Sequence, residues 1–443
     1  MIIKTGRIRM SLERINIGRD IFINFVESDR FKQNYIVVDI VGRLETGLKA
    51  AKTAVLDKVL RRGSANYPTM ADINKRLSYL YASGVNTWSF KMGEAQGFGA
   101  NAQMLDNKYA LDDINILGET LDVLVDILMN PLIKDGAFDK DYVEQEKNNT
   151  VNEILSAIND KGWYAYKRCI EEMCKGERFA IEIRGEVEDV RQVDGKSLYG
   201  YYRHMLENHA IEIFCIGRLA DKKDFITGKF KDLFKHIKRA DKMEDYEADI
   251  ILKAEYKGEI MEEMEVNQGK LVFGFRTGTT FKDEAHCGLV LFNALYGSSP
   301  TSKLFENVRE KLSLCYYCYS GYNDMKGILT VQSGVEVENK QRAVDEILKQ
   351  LEEVKSGSFT DKEVEDARKS VINGYKRVYD NFGSIASWYL GQIMKGGDIK
   401  TPEDMIGEIS KAGRGDIIKA ADKLTLDTVY FLKGTILSQE AGE

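Results

Sequence analysis

Two stretches decide how this chain is built: GAFDKDYVEQEKNNTVN at residues 136–152 and GSFTDKEVEDARKSVIN at residues 357–373. Phe138 in the first matches Phe359 in the second, and Val143-Glu144 matches Val364-Glu365, so one constant shift relates the two. That shift is half of the 443-residue chain, whereas solenoid repeats are several times shorter, so the echo points to one duplicated unit.

Outward from the first stretch, Ile23 to Val41 reads as two strands about a polar turn at Glu27 to Lys32. GLKAAKTAVLDKVLRRG (47–63) follows as a helix with Leu48, Ala51, Val55 and Val59 on one face, ending at Gly63, a residue suited to a left-handed cap. The second half runs in the same order: strand GKLVFGFRTGTT (269–280), helix Glu284 to Tyr296, a helix feeding a strand in SKLFENVREKLSLCYYCYS (302–320), and strand Gly327 to Val337. The expected fold is α+β, with two homologous domains over residues 1–225 and 246–443. Each is read as an antiparallel sheet with helices packed on one side. The charged run KDLFKHIKRADKMEDYEAD (231–249) is the expected linker.

Hydrophobic residues make up 43% of the chain and charged residues 30%, the balance of a globular protein with room for two cores. The formal charge of −7, with both signs mixed along the chain, argues against nucleic acid or an anionic membrane as partner. No eighteen apolar residues run together and the N-terminal stretch carries no h-region, so a cytoplasmic chain is expected. The six cysteines lack disulfide-framework spacing, which agrees with a reducing compartment.

The most informative stretch for function is 302–320. Leu304, Val308 and Leu312 fall on one helical stripe; beyond them Tyr317 and Tyr319 share one strand face, with Tyr316 and Tyr322 on the other. Arg309 and Tyr316 lie close enough in sequence for a guanidinium and a phenol to converge on one carbonyl. By spacing alone the plainer reading also stands: a surface Arg paired with Glu306 or Glu310, and a Tyr packed in a sheet. Cys315 and Cys318 at i and i+3 of a strand face opposite ways, which makes them buried small residues rather than a chelating pair. None of His204, His209, His236 and His286 makes an HxxxH pair, and each reads as a surface or satisfied core residue.

The stretch 302–320 resembles the (S/T)-x-LF-x-x-(L/V)-REK-x-x-L-x-Y-x-x-x-S segment in the C-terminal half of the M16 (pitrilysin-like) metallopeptidases. AVLDKVLRRGSANYPT (54–69) is similar to that family's HFLEHMLFKGTxxxxT, and LMNPLIKDGAFDKDYVEQEKNNTVNEI (128–154) to its L-x-N-P…E-(K/R)-x-x-V-x-x-E segment. The likeness runs on through KSLYGYYRHMLENHAIEIFCIGRL (196–219) and so covers nearly the whole chain. It implies that Arg309 and Tyr316 bind substrate. It also implies that the family's zinc ligands and general base correspond to Ala54, Asp57 and Lys58, with Glu153 at or beside the third ligand.

Ala has no lone pair to give and Lys58 is a cation at neutral pH, so the metal set is degenerate and no cofactor is expected in this chain. The resemblance therefore implies a pseudoenzyme: the non-catalytic subunit of a heterodimeric M16B-type zinc peptidase. It would supply Arg309 and Tyr316 to an HxxEH-bearing homologue that holds the zinc and cleaves peptides, leader peptides among them. The alternative is a non-enzymatic M16-like scaffold or assembly subunit.

Overall fold

The computed structural model describes residues 12–434. In the first half, β1 (Leu12–Gly18), β2 (Ile21–Glu27), β3 (Gln33–Arg43), β4 (Gly84–Met92) and β5 (Ala95–Leu105) precede a short hairpin of β6 (Ile133–Lys134) and β7 (Ala137–Phe138), and β8 (Ala210–Gly217) closes the set. The large sheet has the order β1-β2-β8-β3-β5-β4. In the second half β9 (Glu259–Met264), β10 (Gly269–Arg276), β11 (Cys315–Asn323), β12 (Ile328–Val335) and β13 (Thr425–Gly434) form a sheet of order β11-β12-β10-β13-β9. The α+β expectation holds, with one refinement. Each sheet is mixed, because β2 pairs with β8, and β13 with β9, in parallel. Both pairings join strands separated by long helical connections, as parallel pairs require.

The sequence echo is an echo of structure. Helices Lys140–Ser156 and Asp361–Arg377 begin and end at the shift that relates Phe138 to Phe359, and so do the short 3-10 turns that follow them, Ala157–Asn159 and Val378–Asp380. Phe138 and Phe359, just ahead of the two helices, are both buried.

Two compact units result, and each is discontinuous. Among the described residues, one comprises 12–155, 181–247 and 381–394; the other comprises 156–180, 248–380 and 395–434. In the first unit the main core lies between the sheet and helices such as Gly47–Leu60, Ile116–Met129 and Gly195–Asn208. Its second sheet face bears helix Phe382–Lys395, whose Phe382 ring stacks on Tyr35 of β3 at 5.3 Å. In the second unit Leu271, Phe273 and Phe275 of β10 face the main core. Val272, Tyr430 and Leu432 on the opposite face pack against Ala165 and Cys169 of helix Lys161–Met173. The main core of each unit thus has its helices on one side of the sheet, as the sequence suggests. A further helix, drawn from the other half of the chain, covers the second face.

Three local readings change. Gly63 caps no left-handed turn; a Cβ there would sit 2.4 Å from the Pro68 carbonyl oxygen, so close backbone approach is what demands glycine. The helix Leu304–Lys311 is wound as a π-helix, and Leu312, whose N–H bonds to the Asn307 carbonyl, is turned out to 43% exposure while Leu304 and Val308 are fully buried. Finally, a bulge between Cys315 and Tyr317 breaks the strict alternation of β11. It puts Cys315 and Cys318 into the same core, correcting the reading that they face opposite ways.

Candidate functional site

Helix Gly47–Leu60 starts at Thr46, whose side chain accepts from the Lys49 N–H, and it buries most of its length against the sheet. Ala54 is 2% exposed and Asp57 is buried beside it. One helical turn on from Ala54, Lys58 turns toward helix Lys140–Ser156, where its Nζ donates to Thr150 Oγ1 and to Glu153 Oε2, each at 2.8 Å. The guanidinium of Arg184 approaches from another side, with Nε 3.2 Å from the same Glu153 oxygen. Two cations thus surround the carboxylate that the resemblance assigns to the third metal ligand. Burial pushes the Asp57 carboxyl up to about 6, against the pull of Lys58 and of hydrogen bonds from Ser89. The arrangement is a satisfied ion-pair network, and nothing in it offers two neutral imidazoles and an open coordination position. The chain carries no complete catalytic metal-binding motif at this place.

In the second unit, Arg309 is 42% exposed, its guanidinium 4.7 Å over the Phe305 ring and 3.6 Å from Glu310. Tyr316 is the bulged residue of β11, opposite no residue of β12, and 67% of it is exposed. No side chain among the described residues bonds its hydroxyl. Of the two plain alternatives, the surface Arg paired with Glu310 is what forms, but the Tyr is not packed in the sheet. Behind it, the hydrogen bond between the thiols draws Cys315 below the usual thiol value and pushes Cys318 up.

The sequence reading missed a cleft of about 610 Å³ on the face of this sheet that carries helix Lys161–Met173. Strand residues Lys270, Tyr317, Tyr319 and Gln332 form one wall, and Asp160, Gly162, Trp163 and Tyr166 the other. Tyr319 donates to Gln332 Oε1 at 3.0 Å, and the Lys270 ammonium lies 5.5 Å over the Tyr317 ring. Burial lowers the Lys270 pKa. The cleft's walls interleave the rings of Trp163, Tyr166, Tyr317 and Tyr319 with the charged and amide groups of Asp160, Lys270 and Gln332. The alternation of Tyr317 and Tyr319 is visible in the sequence; the segment that faces them, around Trp163, comes from the first half of the chain and carries no motif.

Residues 192–371 match the family model described as "Peptidase M16 inactive domain". Among curated proteins, the chain is 32% identical over 413 residues to the "Probable inactive metalloprotease YmfF" of Bacillus subtilis, covering 93% of this chain and 95% of that protein. It is 22% identical to the "Uncharacterized zinc protease YmxG" of the same organism, over 77% of this chain and 83% of the other. Among solved structures, a conserved protein from Enterococcus faecalis is similar with a TM-score of 0.85 at 26% identity, covering 96% of this chain and 99% of that one. A peptidase M16 inactive domain from Pseudomonas fluorescens has the same fold at a TM-score of 0.78 and 16% identity, covering 96% and 98%. With a degenerate metal set and a relative of this identity along nearly its whole length, the chain belongs to the M16 peptidase family, as a non-catalytic member.

Proposed function

We propose that this chain is a non-enzymatic M16 scaffold subunit that holds peptide or a partner chain without cutting it. The observation that carries this reading is the Lys58–Glu153–Arg184 network, which puts fixed positive charge where a peptidase of this family would hold its metal. The aromatic cleft supports it by giving the second unit a place for an extended segment.

A second reading is favoured by one specific feature. Tyr316 stands on a bulge with its hydroxyl unbonded by any described side chain, and Arg309 is held by a surface contact with Glu310 and a ring face. In this reading the two are donors awaiting a substrate carbonyl beside the zinc of an HxxEH-bearing M16B homologue. Preplaced donors of that kind are worth a few kcal/mol to a developing oxyanion.

Co-purification with such a homologue, followed by peptide cleavage, separates the two. A scaffold keeps the complex and its full turnover in the Arg309→Ala, Tyr316→Phe double variant. A shared active site keeps the complex but loses turnover by roughly a hundredfold. A chain that neither associates with the homologue nor binds peptide overturns both.

A further inference from the structure

The four histidines read from sequence as surface or satisfied core residues, and His209 meets that reading only in part. His209 follows the last residue of helix Gly195–Asn208 and is 3% exposed, yet neither Nδ1 nor Nε2 makes a well-formed hydrogen bond. Its one polar neighbour, Glu244 Oε2 at 3.3 Å, falls short of hydrogen-bond geometry, and native proteins seldom bury an imidazole so loosely held without a reason. Its space is made deliberately: a Cβ on Gly42 of β3 would lie 2.3–2.4 Å from three atoms of the ring.

Two further candidate ligands converge on the same spot. His204 lies just over one turn earlier on the helix, its ring 5.6 Å from that of His209 and nearly perpendicular to it. Glu244 sits between them, with Oε1 2.8 Å from His204 Nε2 and Oε2 3.3 Å from His209 Nε2. One ligand atom from each residue falls within 4.8 Å of the others. Zinc–nitrogen and zinc–oxygen bonds of about 2 Å imply tetrahedral ligand separations of about 3.3 Å, so these side chains close on a metal with small movements. The Glu244 Oε2 atom is itself buried without a well-formed hydrogen bond.

The connector bearing Glu244 is fastened in place. The Glu244 N–H bonds to the Asn208 carbonyl at 3.2 Å, the Ala240 N–H bonds to the Glu207 carbonyl, and Arg239 donates to the carbonyls of Leu206 and His209. His204 and Glu244 keep 36% and 22% of their side chains exposed, which leaves one side open for a water as fourth ligand. Asn208 Nδ2 lies 3.1 Å from His204 Nδ1; metal at Nε2 moves the ring proton to Nδ1, and Asn208 then turns its carbonyl oxygen to accept it.

We propose that His204, His209 and Glu244 bind one zinc ion, or a similar borderline divalent metal, as a clasp between the end of helix Gly195–Asn208 and the connector 239–247. Two nitrogens and one carboxylate with an open position form a zinc-type set and not a calcium or magnesium one. The site is distinct from the degenerate set at Ala54, Asp57 and Lys58.

The test is zinc titration of the untagged chain by calorimetry, with metal analysis after dialysis and melting curves with and without zinc sulfate. The expected result is one zinc per chain, a higher melting temperature with zinc, and at least about tenfold weaker binding in His204→Gln and in Glu244→Gln. Both variants change partly exposed side chains, and circular dichroism checks that they fold. Absence of saturable zinc binding overturns the proposal, and so does binding that survives unchanged in both variants, which would place the metal at other histidines.

Discussion

Lys58 Nζ and Glu153 Oε2 stand 2.8 Å apart, at two positions where the family resemblance places two ligands of one zinc ion. On that resemblance an ammonium stands where an imidazole would bind metal, and the carboxylate has a cation beside it. Arg184 supplies a second. Such a pairing would stand in the way of restoring a metal there.

Restoring the motif by Ala54→His, Asp57→Glu and Lys58→His is expected to leave peptide hydrolysis at background. Arg184 still neutralises Glu153, and the shell that would orient the new imidazoles is absent. Steady-state cleavage of an unstructured peptide by the purified triple variant checks this, and measurable turnover would sink it.

Asp39 lies in the middle of β3 opposite Glu212, 3% exposed, and burial followed by the neighbouring carboxylate raises its pKa to about 8. The folded state therefore holds a proton that the unfolded chain releases above its ordinary value near 4. Stability is greatest below that value and declines as pH rises toward 8. Asp39→Asn removes the dependence. Its gain over the native chain is expected to be absent at pH 4 and on the order of 2 kcal/mol at pH 8, as read by urea unfolding at the two pH values.

Trp88 of β4 lies flat over Gly99 of β5, where a Cβ would come within 2.5 Å of the indole. Gly99→Ala is expected to lift the ring and cost about 1–3 kcal/mol, the usual range for overpacking. A melting temperature unchanged from the native chain would contradict this.

Arg276 is 1% exposed and bonds Asp427 at 2.9 Å and Glu177 at 2.6 Å; Lys326, also buried, bonds Glu177 at 2.7 Å. Arg276→Met leaves the buried Asp427 carboxylate without its main partner and is expected to cost about 3–5 kcal/mol. The Arg276→Met, Asp427→Asn pair should cost less than Arg276→Met alone, which a double-mutant cycle measures.

The fold is legible where local pattern and tertiary partner agree. Phe138 and Phe359 mark equivalent helices because capping and periodicity are written within each short segment. The chemistry at Ala54 and Lys58 is legible too, since a methyl group offers no lone pair and an ammonium offers none at neutral pH. Other features depend on partners that no local pattern names. The bulge at Tyr316 is set by pairing with β12, and the outward turn of Leu312 by a π-helical hydrogen bond. His209 escapes a sequence reading because its ligating neighbour, Glu244, lies beyond a strand and a helix, in a segment that looks like linker.

Discontinuity of the two units has a consequence for synthesis. As the chain leaves the ribosome, the first large sheet is complete once β8 has emerged, but Tyr35 still lacks the ring that covers it. Phe382 arrives only after four of the five strands of the second sheet have been made. Meanwhile helix Lys161–Met173 has been made and waits, its apolar side bare, for β10 and β13. Neither unit can finish before nearly all of the protein exists, so a nascent chain of this kind spends most of its translation with unprotected surface, the condition that recruits chaperones.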